Sequence, residues 1–353
     1  YSSLIFYSLT IDNILNIIVL LILAGVTIAT LTGENGILTK ASDAKTETEE
    51  GKEDELRRLT ALEAAINIEG TMHIEKDTET GEVKEEVKIP AGFAVSQVEG
   101  ENSVEDGLVI IDKNGNEFVW VQVDGILEED GTIDDVVNNE KILLGRYDFD
   151  SSGTPSEYSG IYIEENSRNT DDLLNYGNTI ANDIEGFIDS VRENGGYYIA
   201  RFEASQGTNG KAESKYDKAV WNNITQPNAS KACQNLYETI DSDLVNSYAW
   251  DTTLLFIQKY SGDIDYSRQK PLQDTLANTG KATDGTIYDV RCNIYDMSGN
   301  CHEYSTETRN QSSLCISPRG GSYWRTNDYT SSRGWGSSKS KVEYWSFRTI
   351  LYF

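Results

Sequence analysis

The chain has 353 residues, 58 of them acidic and 30 basic, for a formal net charge of −28. That balance excludes a phosphate-backbone binder, which needs clustered Lys and Arg to release counterions, so no nucleic-acid partner is expected. Two histidines, His73 and His302, and four cysteines without CxxC spacing (Cys233, Cys292, Cys301 and Cys315) give no zinc-ligand pattern, and no metal or other cofactor is expected.

Residues 1–68 form the first expected unit, apolar over 1–33 and amphipathic over 37–68. Residues 13–33 carry no charge, and about 20 such residues suffice to cross a bilayer or to fill the dry centre of a filament. After the break at Thr32-Gly33-Glu34-Asn35-Gly36 the sequence turns polar but stays rich in helix formers. Leu56, Leu59, Leu62 and Ile66 recur at spacings of three, three and four, an apolar stripe expected to pack on something. Asp12 is the only charged side chain before Glu34. A lone carboxylate at a bilayer centre costs about 2.5–3.5 kcal/mol, so a partner is expected for it.

Residues 69–89 read as a charged hairpin or connector turning at Thr80-Gly81. The globular head is expected over 90–353. Within it, Asn114-Gly115 lies between Leu108-Val109-Ile110-Ile111 and Glu117-Phe118-Val119-Trp120-Val121. The Asn-Gly pair signals a hairpin, and turn geometry accounts for the acidic and amide residues around it better than calcium does. Helices are expected from Thr170 to about Asn194 and from Ala229 to about Ile257, separated by the aromatic strand Gly196-Tyr197-Tyr198-Ile199-Ala200-Arg201-Phe202-Glu203. Cys301 and Cys315 flank a hairpin-like excursion and form the expected disulfide of an exported chain, with free buried thiols as the alternative.

No catalytic residue is expected: His302 is the only histidine of the head, and with 58 acidic residues any chosen carboxylate pair is uninformative. The window from Tyr323 to Tyr344 has a different character. Tyr323, Trp324, Asn327, Tyr329, Trp335 and Tyr344 combine large aromatic contact area with adaptable polar neighbours, the mixture antibody paratopes use. They form the candidate ligand-binding face, the plain alternative being a long surface loop.

Three resemblances extend this reading. Ile17-Ile18-Val19-Leu20-Leu21-Ile22-Leu23-Ala24-Gly25-Val26-Thr27-Ile28, with Leu31-Thr32-Gly33-Glu34-Asn35-Gly36-Ile37-Leu38, resembles the N-terminus of type IV pilin-like surface proteins. That resemblance implies filament assembly through Asp12, Ile17, Leu20, Leu21, Leu23 and Val26, with Asp12 pairing with the α-amine of a neighbouring copy. Because the pilin carboxylate is the fifth mature residue, the implied mature start is Ser8, which Tyr1 precedes.

Across roughly 90–353, Phe118-Val119-Trp120-Val121, the aromatic strand, Tyr295-Asp296-Met297-Ser298-Gly299-Asn300 with Glu303, Arg319-Gly320-Gly321-Ser322 and Ser346-Phe347-Arg348 together resemble the formylglycine-generating-enzyme domain, a member of the C-type lectin fold. That enzyme's two copper-binding cysteines fall here on Arg325 and Thr330, which cannot serve as thiolates, so the resemblance implies a non-catalytic head. The Tyr323-to-Tyr344 window resembles the binding face of retroelement-diversified lectin-fold variable proteins.

The expectation is therefore an α+β chain: a long N-terminal apolar-to-amphipathic helix followed by a C-type-lectin-like mixed α/β head with short irregular strands. Functionally it is expected to be a subunit of an extracellular pilus-like filament. Its partners would be copies of itself in a helical homopolymer, the membrane before assembly, and a protein or glycan ligand on the head. The alternative is a membrane-anchored surface recognition protein.

Overall fold

The computed structural model describes residues 37–127, 131–164, 183–282, 289–309 and 315–353. The chain divides into two units, Tyr1–Leu56 and Arg57–Phe353. What is described of the first is the polar beginning of a helix, Ile37–Ile66, that ends in the second. Lys45 and Glu49, one turn apart, pair on it at 3.6 Å.

The expected fold class is corrected at its N-terminal helix. Among the described residues no long apolar helix is present, none being long and apolar enough to cross a membrane, and the first one is polar, because its sequence from Ile37 onward alternates Lys, Glu, Asp and Thr. Asp12, Ile17, Leu20, Leu21, Leu23, Val26 and the uncharged run 13–33 lie outside the described residues. Most strands of the second unit are only two to four residues long. The second unit is a mixed α/β fold, and its centre is a six-stranded, wholly antiparallel sheet.

Strand order in that sheet is Asp241–Leu244, Thr349–Tyr352, Gly196–Ala200, Glu117–Gln122, Val109–Asp112, Phe93–Val95. The C-terminal strand is thus an interior strand, and its sequence, Thr349-Ile350-Leu351-Tyr352, is buried throughout. The inner strands are buried on both faces, which explains their continuous β-branched and aromatic runs rather than alternation. Neighbouring tyrosines show the two faces. Tyr197 donates to Ala249 O on the helix Ser247–Ser261 at 2.6 Å, while Tyr198 donates to Lys88 O at 2.9 Å.

Local chemistry sets the connections. Asp112 Oδ1 accepts from the amides of Asn114 and Asn116, and Gly115 takes φ 79°, which closes the hairpin foreseen at Asn-Gly. Thr71–Lys76 pairs antiparallel with Val83–Ile89, with Asp77 accepting from the amides of Glu79 and Thr80 at the turn.

The single helix expected from Ala229 to about Ile257 is two helices, Gln226–Cys233 and Ser247–Ser261, with the strand Asp241–Leu244 between them. Gln234 turns extended at φ −79° and ψ 142°, which ends the first helix, and Asn235 follows at φ 54°. The side chain of Asn246 accepts from Ala249 N and starts the second. What lies between is drawn out to pair with the C-terminal strand. Of the helix expected from Thr170, Ile184–Asn194 is present, capped by Asp183 and ended by Gly195 at φ 71°; residues 165–182 lie outside the described residues.

The end of the first helix docks on the head through small and polar groups. Thr60 and Ala64 are buried. Arg57 reaches Glu101 at 2.6 Å and Glu117 at 3.0 Å, and Asn67 donates to Phe93 O at 2.8 Å. The predicted stripe faces the other way: Leu59, Leu62 and Ile66 are 42, 65 and 78 % exposed. On a 3.6-residue repeat they lie opposite Arg57, Thr60, Ala61 and Ala64. The small side chains let the helix approach the head, and the large apolar ones are left outward.

Candidate functional site

The C-terminal window rests on buried ion pairs drawn from distant parts of the chain. Arg319 is fully buried and donates to Asp251 of the helix Ser247–Ser261 and, at 3.4 Å, to Glu307. Arg333 joins both carboxylates, meeting Glu307 at 2.9 Å, and Arg146 also reaches Glu307. Burial pushes the Glu307 carboxyl up, but the guanidinium groups of Arg333, Arg319 and Arg146 outweigh it and hold the group down at about 2.

A second pair stands beside the first. Arg348 lies between the strand Trp345–Phe347, which pairs in parallel with His302–Tyr304, and the central-sheet strand Thr349–Tyr352. It grips Glu303 with Nε at 2.9 Å and Nη2 at 2.6 Å, and donates to Ala200 O and Tyr295 O at 2.9 and 2.7 Å. Glu303 and Arg319 in turn exchange backbone hydrogen bonds of 2.7 and 2.9 Å.

The double glycine after Arg319 permits this closeness. Gly320 takes φ 74°, and a Cβ there would stand 2.7 Å from Met297 O; one on Gly321 would stand 2.6 Å from Ser298 O. The turn therefore presses directly on the Tyr295-to-Asn300 loop, which Asp289 fixes by accepting from Ser298 N and Oγ at 2.7 and 2.6 Å.

On this base lies a cleft of about 450 Å³. His302 forms part of it, with Nδ1 2.9 Å from Gly320 O and Nε2 3.5 Å from Asp328. Burial lowers the pKa of His302, opposed by the Gly320 carbonyl and by Asp328. Trp335 and Tyr344 supply aromatic lining, and Arg325, Asp328, Ser337 and Ser340 supply polar groups. Trp324 stacks on Tyr344, with centroids 4.6 Å apart and planes 13° from parallel, and the Arg325 guanidinium lies 5.4 Å from the Trp324 ring. Trp324 and Trp335 are 56 and 66 % exposed, a large apolar area to leave in water at one place.

Trp335 and Tyr344 therefore line one cleft, and Trp324 adjoins it through its stack on Tyr344. Tyr323 is half-buried beside it, its amide donating to Asn300 O at 2.9 Å, and Asn327 is exposed on the following turn. Tyr329 points elsewhere, its ring covered by the Arg268 guanidinium at 3.7 Å. His302, Arg325 and Asp328 are the lining residues that sequence reading missed. The last two sit inside the aromatic window, where charged side chains carry no local signal of lining a cleft.

The expected Cys301–Cys315 bridge is not formed. Cys301 is a free, buried thiol whose amide donates to Glu203 at 3.0 Å. The backbone separates the two cysteines: Cys301 leads into the strand beside Trp345–Phe347, while Cys315–Ile316 pairs with Gly336–Ser337. Thr330, one of the two positions aligned with copper-binding cysteines, is buried and donates to Gln269 O at 3.2 Å. Among the described residues, no group of three His, Cys, Asp or Glu side chains could hold a metal ion. Compared with known proteins, the chain matches no family model, no curated protein and no solved structure.

Proposed function

We propose that the head is a non-catalytic recognition module displayed at the cell surface, binding a protein or glycan through the cleft bordered by Trp324, Trp335 and Tyr344. The observation that carries this reading is the exposure of two tryptophans above a rigid, charge-paired base. Exposed aromatics on a fixed scaffold lose little entropy on binding, and a buried framework holds them in one arrangement. The test is binding of the full chain to cell-surface glycan and protein arrays, alongside Trp324→Ala/Trp335→Ala. A loss of at least about tenfold in affinity with an unchanged melting temperature supports the reading, since large aromatics dominate such interfaces; unchanged binding overturns it.

A second reading, a subunit of an extracellular filament, is favoured by the outward stripe Leu59, Leu62 and Ile66. With the uncharged run 13–33, it gives one chain two apolar segments of unlike sequence. Pairing unlike surfaces head to tail builds open polymers rather than closed dimers. Negative-stain microscopy of shed surface material decides it: uniform fibres that disappear in Leu62→Glu/Ile66→Glu support the filament, and fibres unaffected by the change remove the stripe from assembly.

A further inference from the structure

We infer that the head carries a second binding site, for an anionic saccharide, in the cleft between the helix Gln226–Cys233 and the C-terminal window. This cleft measures about 550 Å³ and is lined by Lys211, Lys231 and Lys341, with no Asp or Glu among its lining residues. In a chain with 58 acidic and 30 basic residues, three lysines lining one cleft with no carboxylate among its lining residues are a local inversion of charge. Lys215, Lys259 and Lys281 are each paired with a carboxylate, whereas neither Lys231 nor Lys341 has an ion-pair partner among the described residues. Lys211 donates to Gln234 O at 2.6 Å, which fixes its position at the rim.

The remaining lining residues specify more than an anion. Asn209, Asn223 and Asn228 border the cleft, and each amide offers both donor and acceptor, the pairing that sugar hydroxyls require. Asn209 and Asn223 are held in left-handed turns at φ 59° and 55°, and the Asn223 amide donates to Val342 O at 3.2 Å. Trp221 supplies an aromatic wall. Its ring packs on Phe347 with centroids 5.4 Å apart, and its amide donates to Ala204 O at 2.8 Å. Aromatic walls suit the apolar C–H face of a sugar ring, amides its hydroxyls, and ammonium groups a carboxylate or sulfate.

The cleft is open to solvent, and its volume lies in the range of small-molecule sites. The body's negative charge is screened beyond about 8 Å at physiological ionic strength, so the local lysines decide what enters.

The test is isothermal titration of the full chain with a hexuronate oligomer, a sulfated oligosaccharide and the neutral parent oligomer, repeated on Lys231→Gln/Lys341→Gln. Both lysines are exposed, so the variant keeps its fold. At least one acidic sugar is expected to bind about tenfold or more tightly than the neutral parent, and the double variant to lose that margin, as removal of two charge-assisted contacts implies. Which acidic sugar binds identifies the anion. Trp324→Ala/Trp335→Ala leaves this binding unchanged, which separates the site from the aromatic cleft. The inference is overturned if no acidic sugar outbinds the neutral one, if the double variant binds normally, or if polyaspartate competes as well as the sugar.

Discussion

Two arginine–carboxylate clusters do different work in the same head. Beneath the C-terminal window, Arg319 and Arg333 share Asp251 and Glu307, and Arg319 and both carboxylate side chains are sealed from solvent. At the helix entry, Arg57 and Arg201 share Glu101 and Glu117, but Arg57 keeps 25 % of its side chain exposed. Both use the same planar, multidentate pairing. The sealed cluster cannot lose a member without stranding a buried charge, so it fixes one geometry. The open one lets water replace a lost partner, so it works as an attachment.

The largest expected effect tests the sealed cluster. Glu307→Gln leaves three guanidinium groups short of a counter-charge and should cost about 3–5 kcal/mol in denaturant unfolding, with the unfolded midpoint shifted accordingly. A cost below about 1 kcal/mol, the range of exposed pairs, would erase the distinction between the clusters.

The acid limb of the stability curve comes next. Glu307 lies at about 2 in the folded chain, below the ordinary 4.5 of the unfolded one. Its contribution is therefore complete above pH 4.5 and is lost as pH falls toward 2, on the order of 3 kcal/mol in all. In Glu307→Gln this part of the acid dependence should be missing, which a pH series of unfolding curves reads directly.

Arg57→Ala should cost less, about 1–2 kcal/mol, because Arg201 still pairs with both carboxylates and the vacated, partly exposed Arg57 position admits water. Its effect should be local: faster amide exchange over residues 57–66, with protection of Gly196–Ala200 retained. Equal loss in both segments would make the helix end part of the core rather than an attachment. Smallest of all, Trp324→Ala/Trp335→Ala should change stability by less than about 0.5 kcal/mol, since exposed side chains above a finished framework do not hold it up; calorimetry checks this.

Periodicity placed Leu59, Leu62 and Ile66 on one side of a helix, and that much was local. It could not say that this side would be the outer one. That depended on Thr60 and Ala64 being small enough to meet the head closely. The Ala229-to-Ile257 stretch teaches the same lesson from the other direction. Its helix formers are real, but the unpaired edge of Thr349–Tyr352 recruited Asp241–Leu244 as a strand. In the aromatic window, composition pointed to Trp324, Trp335 and Tyr344, yet nothing local separated them from Tyr329, whose ring is taken by Arg268.

The amino-acid sequence by itself determined the charge and the hairpin turns at Asn114-Gly115 and Thr80-Gly81. Each of these depends on backbone conformation or ionisation within a few residues. Only the tertiary structure decided that Arg319 meets Asp251 across 68 positions, that Arg348 meets Glu303 across 45, and that Lys211, Lys231 and Lys341 line one cleft. Many carboxylates could satisfy each guanidinium, and the choice belongs to the sheet that brings distant strands together.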